Sequence, residues 1–195
     1  MLKYLHENGC PWNEGTCMIE AAKGGHLDVL KYLRENGCPW NAWICVEAAR
    51  GGHLEVLKYL HENGCTRNEG ICSEAAHKGH LDVLKYLHES GCPWNERTCH
   101  RAAEGGHLDV LKYARENGCP WNFMTCFNAA MGGHLDVLKY ARENDCPWDA
   151  NCWRSTAVPI REYLEKSNCP MTEQMSNEKR VKDMMSKFLA RIDRD

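Results

Sequence analysis

Leu54, Leu57 and Leu60 recur every third residue with Val56 beside them, which lays an apolar stripe along a helix of about ten residues. Asn63-Gly64 follows, and a glycine just past the last periodic position is a left-handed helix stop. A shorter apolar pattern through Cys45, Ala48 and Ala49 precedes this helix and is closed by Gly51-Gly52. The same double pattern returns every 27 residues, marked by His26, His53, His80, His107 and His134, each after a glycine and before Leu-Asp/Glu-Val-Leu-Lys-Tyr. Neither helix of such a unit can bury its apolar face alone. Stacking identical pairs removes the problem, so the period predicts an all-α solenoid of helix-turn-helix units whose stability is a sum over neighbours.

The units resemble the ankyrin repeat. That family carries Thr-Pro-Leu-His-x-Ala-Ala, then Gly-His-x-Glu/Asp-Val-Val, then Gly-Ala-Asp-Val-Asn. Here Thr98-Cys99-His100-Arg101-Ala102-Ala103 leads to Gly106-His107-Leu108-Asp109-Val110-Leu111 and Gly118-Cys119-Pro120-Trp121-Asn122. The units are shorter than the family's, and the loss falls where its members carry a β-hairpin finger. The resemblance therefore implies shortened loops and almost no strand. Short, near-identical units of this kind are similar to the expanded ankyrin-like arrays of large DNA viruses, algae and protists. Trp12, Trp40, Trp94, Trp121 and Trp148 occupy the family's Val position, where an indole can cover the space of a missing hairpin. Thr66-Arg67 interrupts this ladder and puts a guanidinium where it could stack between Trp40 and Trp94. The family's Pro and His are both lost from the first-helix turn, so other contacts must hold it.

The expected organisation is a repeat array over 1-171 followed by a helical cap over 172-195. Within the array stand a partial unit at 1-13, full units over 14-149 and a degenerate unit over 150-171. In the cap, Val181, Met185, Phe188 and Ile192 fall at helical spacing with Met184 and Leu189 beside them. The first unit has no polar cap, so the chain reads as a fragment of a longer array or as one whose start is covered by self-association.

Of the 195 residues 43% are apolar and 26% charged, with a formal net charge of -3. That balance supplies no broad positive field for a phosphate backbone, which argues against nucleic acid as a partner. No stretch is long and apolar enough for a membrane span, and no signal-peptide core is visible. The 13 cysteines follow the repeat: one series holds Cys38, Cys65, Cys92, Cys119 and Cys146, the other Cys45, Cys72, Cys99 and Cys126. An odd count without a secretion signal points to reduced, buried thiols in a reducing cytoplasm, the host's if the chain is viral.

The recurrent Cys and His spacing invites a zinc reading. Cys45 opens its helix and His53 follows its end, so they lie on the order of 10 Å apart, too far to share an ion with bonds of about 2 Å. No metal or cofactor is expected. Equivalent cysteines of adjacent units sit on helices roughly 8 to 10 Å apart, which disfavours disulfides between them, while Cys38 with Cys45 or Cys92 with Cys99 are within reach inside a loop. Any His, Cys or carboxylate nominated for catalysis has copies along the array, whereas chemistry needs one assembled constellation. No enzyme is expected.

Recognition remains. On a helical wheel Trp43, Val46, Glu47 and Arg50 lie opposite Cys45, Ala48 and Ala49, and form the outward face. Translating this face along the array gives Gly70, Ser73, Glu74 and His77, then Arg97, His100, Arg101 and Glu104, then Met124, Phe127, Asn128 and Met131. In the family this surface lines the concave groove that binds partners. The residues expected to bind another protein or peptide are Trp43, Val46, Arg50, His77, Arg97, His100, Arg101, Met124, Phe127 and Met131. Glu74 and Glu104 read as ordinary solvated positions. The alternatives are a self-associating structural array docking through its uncapped first unit and, further off, a cysteine-based metal or redox module.

Overall fold

The computed structural model describes residues 14-39 and 42-192. Five helix pairs follow one another: α1 (Glu14–Lys23) with α2 (Leu27–Glu35), α3 (Ala42–Arg50) with α4 (Leu54–Glu62), α5 (Glu69–Lys78) with α6 (Leu81–Glu89), α7 (Glu96–Gly105) with α8 (Leu108–Glu116), and α9 (Phe123–Gly132) with α10 (Leu135–Glu143). A 3-10 turn (Ala150–Arg154) and α11 (Val158–Lys166) then occupy the degenerate segment, and α12 (Glu173–Ile192) ends the described chain. No strand occurs among the described residues. The stacked all-α architecture is the one the period predicts; the partial unit at 1-13 lies outside the described residues.

Two layers make the solenoid. The first helices α1, α3, α5, α7 and α9 pack closely on one another in sequence, and each second helix lies against its own first helix. Close approach in the inner layer comes from small side chains: Cys72, Ala75 and Ala76 and their equivalents Cys99, Ala102, Ala103, Cys126, Ala129 and Ala130 are fully buried. Larger residues fill the space between layers, with Leu57, Leu60, Leu84, Leu87, Leu111 and Leu138 fully buried.

Adjacent units are stapled by the repeated histidine. His53 Nε2 lies 2.8 Å from the Lys23 carbonyl, His80 Nε2 3.0 Å from that of Arg50, and His107 and His134 Nε2 3.1 Å from those of His77 and Glu104. A carbonyl oxygen only accepts, so Nε2 carries the proton and donates in each case. Each imidazole thus satisfies a carbonyl left over at the end of the preceding first helix.

The ladder tryptophans Trp94, Trp121 and Trp148 are structural. Trp94 stacks on His88 at 3.9 Å and meets Tyr113 edge-on at 6.3 Å. Trp121 lies 4.1 Å under Arg115 and 6.3 Å from Tyr140, and Trp148 4.4 Å under Arg142 and 6.3 Å from Tyr163. Each indole therefore bridges the end of one second helix to the next, where a longer repeat would place its hairpin. Arg67, in the same register, donates from Nη1 to the Ser90 carbonyl at 2.5 Å; Trp40 lies outside the described residues.

Cysteine pairing departs from expectation. The partner of a first-helix cysteine is the one 20 residues later, not the one seven residues before it: Cys45 is joined to Cys65 in a disulfide with a Cα separation of 7.1 Å. In the same register Cys72 pairs with Cys92, Cys99 with Cys119 and Cys126 with Cys146, and Cys152 meets Cys169. The hairpin of helices explains this, because it brings the end of the second helix back beside the start of the first. Cys119 also donates to the Asn95 carbonyl at 3.2 Å and Cys146 to that of Asn122 at 3.4 Å, which holds the loop ahead of each first helix. Hydrogen bonding to the partner sulfur, then burial, push the Cys72, Cys99 and Cys126 thiols far above the ordinary thiol range. Where all cysteines were expected to be reduced, one pair is bonded. A denatured, unreduced sample should leave Cys45 and Cys65 unalkylated by a thiol reagent, as peptide mapping would show. Alkylation of both without reductant would contradict the Cys45–Cys65 bond.

Among the described side chains, the apolar stripe of α12 meets the array at its start. Met171 and Met175 pack on the core and Lys179 pairs with Glu165 at 3.3 Å, whereas Val181, Met184 and Met185 are exposed.

Candidate interaction face

Four rows of side chains run across the first helices α3, α5, α7 and α9. They are Trp43, Gly70, Arg97 and Met124; Val46, Ser73, His100 and Phe127; Glu47, Glu74, Arg101 and Asn128; and Arg50, His77, Glu104 and Met131. Each row is fixed by helix register, because translation by one repeat carries a residue to the same place on the next first helix.

Three of these positions are buried against expectation. Val46 is 5% exposed, Ser73 is fully buried, and Glu74 is 6% exposed. The helical wheel gives every helix a free half-turn, but α5 has α3 and α7 on its two flanks, so its free arc is narrower than the wheel implies. Glu74 is the centre of an ion-pair chain rather than a solvated position. Its Oε2 accepts from Arg50 Nε and its Oε1 from Arg101 Nη2, both at 3.0 Å. Arg50 extends the chain to Glu47 at 2.9 Å and Arg101 to Glu104 at 2.7 Å. Burial alone raises the Glu74 carboxyl, but the hydrogen bonds and charges of Arg50 and Arg101 outweigh it and hold the group below the usual carboxylate range.

This chain changes the charge of the face. Arg50 and Arg101 are neutralised in place, and His100 donates from Nε2 to Asn122 Oδ1 at 2.9 Å. Burial depresses His100 below the ordinary imidazole range, and it depresses His77 too, helped by the Arg101 charge. Of the cations placed on this face by sequence, Arg97 alone is exposed without an ion pair among the described residues. Asn122 Oδ1 additionally accepts from the Met124 amide at 2.9 Å, and Asn95 Oδ1 from that of Arg97 at 3.0 Å. These N-caps hold the first-helix turns where the usual Pro and His are missing.

Apolar surface brackets the charged middle. Trp43 is 63% exposed at one end, while Met131 is 48% exposed at the other, with Met124 and Phe127 half-buried beside it. Phe123, at 40% exposure, joins this cluster. The sequence carried a signal for it, since Glu69 and Glu96 hold the same register.

His61, on α4 away from this face, is held at about 4 by burial and by the nearby Arg67 charge. With His77 and His100 lowered as well, the unfolded chain takes up these protons first as the solution is acidified. The stabilisation they report is complete above the ordinary imidazole value of about 6.5 and is lost as pH falls towards 4. Glu74 acts in the same direction below its own ordinary value. The melting temperature should therefore drop steadily from pH 7 to pH 5, and a flat profile would refute the burial of these rings.

The family model for ankyrin repeats in many copies matches residues 18-61 and again 72-115. The chain belongs to the ankyrin-repeat family. A search of curated proteins finds no match. Ankyrin arrays are non-catalytic binding scaffolds, and this one has its recurrent histidines and cysteines engaged in packing. Among the described residues no three His, Cys, Asp or Glu side chains come together as a metal site, and no helix is long and apolar enough to cross a membrane.

Proposed function

We propose that this ankyrin array is a protein-binding module whose partner lies across the first-helix face, between Trp43 and the Phe123, Met124, Phe127 and Met131 cluster. The observation that supports it most is the exposure of large apolar side chains, Trp43, Phe123 and Met131, on the same layer whose other rows are tightly packed or ion-paired. Interaction surfaces pair such aromatic anchors with polar rims, and drift on a solvated helix face does not favour clustered Phe and Met. Arg97 contributes steering charge, while His77, His100 and Arg101 support the face from within through the contacts described above. Val46 and Arg50 form its floor near Trp43. The proposed extent of the module is 1-171, with 172-195 as an appended helix, acting in the cytoplasm.

Phe127→Ala should weaken a partner by more than about 1 kcal/mol without unfolding the array. Affinity capture with the wild-type protein, Phe127→Glu and a second-helix control, Glu116→Lys, checks the site. Partners lost with Phe127→Glu and kept with Glu116→Lys support it; equal recovery by all three sinks it. Mass measured in solution separates this reading from the self-associating array, which requires a dimer or larger.

A further inference from the structure

Gly70 interrupts the row Trp43, Gly70, Arg97 and Met124 with a residue that has no side chain. The result is a cleft of about 330 Å³, walled by Trp43 on one side and Arg97 on the other, floored by Val46 and Ser73, with Asn68 at its rim. A Cβ on Gly70 would meet only the Asn68 side chain, whose Oδ1 is 3.0 Å away. Asn68 does not cap its helix, in contrast to Asn95 and Asn122 in the same register, and it lines this opening. Of the charged residues lining the cleft, Arg50 is paired to Glu74. Both Glu74 oxygens are taken by arginines. Arg97 carries no ion pair among the described residues, so the cleft presents one unpaired guanidinium beside an indole wall.

We propose that the Gly70 cleft is the specificity pocket of the groove and takes an apolar side chain of an acidic peptide, with a carboxylate of the same peptide on Arg97. This rests on the groove reading above and names the partner's chemistry. The Trp43 indole and Val46 supply an apolar wall and floor for an aliphatic or aromatic side chain, and the Arg97 fork suits a carboxylate bidentately. First helices roughly 8 to 10 Å apart correspond to about three residues of extended peptide at about 3.3 Å each. The carboxylate therefore falls within about three residues of the inserted side chain, and the next apolar residue, a further three along, reaches Met124 and Phe127.

N-acetyl-leucine, which carries both groups on one residue, and its neutral amide are the probes. Titrated into isotope-labelled full-length protein, the acid should shift the Gly70 and Ser73 amides and the Arg97 Nε resonance, and the amide should bind about tenfold more weakly. Gly70→Leu fills the cleft from a helical position that tolerates a side chain, so it should abolish both titrations while leaving the melting temperature unchanged or raised. Arg97→Gln should bind acid and amide alike. No shift at these positions, equal binding of acid and amide by the wild type, or unchanged binding to Gly70→Leu would overturn the proposal. Partner capture that is lost with Phe127→Glu but retained by Gly70→Leu would overturn this pocket and leave the groove reading standing. Partner capture unaffected by Phe127→Glu would remove the groove reading itself, whatever the cleft binds.

Discussion

Gly79→Ala should cost about 2 to 4 kcal/mol. Two effects add. Gly79 ends α5 with a φ of 77°, where an L side chain carries a penalty of about 1 kcal/mol. An added Cβ would also sit 2.5 Å from Nδ1 of His107, so the imidazole must leave. With it goes the bond from Nε2 to the His77 carbonyl, and that carbonyl is stranded at a helix end between two units. The loss falls on the coupling between neighbours, the quantity that makes a solenoid unfold as one body. Urea denaturation of Gly79→Ala, His107→Ala and the double variant tests this. The single losses should not add, because both remove the same staple. Strict additivity would show that Gly79 acts through its backbone alone.

Much of this architecture was legible in the chain because it is local and repeated. The 27-residue period, the apolar stripe of the second helix and the glycine stops are each written within a few residues, and Gly37, Gly64 and Gly118 do adopt positive φ. The tryptophan ladder was legible for the same reason, as a substitution recurring at one place in the unit. What escaped the sequence depends on how elements fold back on one another. The wheel found the outward direction of α3 and α5 but not their flanks, so Val46 and Ser73 were placed in solvent and are buried. The cysteines were matched across the nearest loop, whereas an antiparallel hairpin joins Cys45 to Cys65. Arg50, His77 and Arg101 were read as groove cations; the neighbouring units supply Glu74 and Glu104 at distances no single unit reveals.

Glu74→Ala should be the second large loss, about 2 to 3 kcal/mol. The carboxylate side chain is 8% exposed and accepts from two guanidinium groups belonging to α3 and α7, so three consecutive units meet on one residue. Removing it leaves Arg101, at 23% exposure, facing a neutral hole between helices. Breaking one partner of a fully buried pair costs about 3 to 5 kcal/mol; the smaller figure here reflects Arg50, which keeps access to water at 39% exposure. A carboxylate replaced by its amide should recover part of the loss, since Glu74→Gln still accepts from one arginine. The decisive comparison is the quadruple variant Glu47→Met, Arg50→Met, Glu74→Leu and Arg101→Met, which includes Glu47 because that side chain, 13% exposed, would otherwise lose its arginine. Desolvating these charges opposes their attraction, so an apolar cluster of similar volume should be as stable as the wild type or more so. If it is, the ion-pair chain contributes the register of the inner layer and the charge balance of the groove rather than net stability. The alternative outcome, a quadruple variant as weak as Glu74→Ala, would mean that the chain itself holds α3, α5 and α7 together, and that the groove floor cannot be altered without loosening the array.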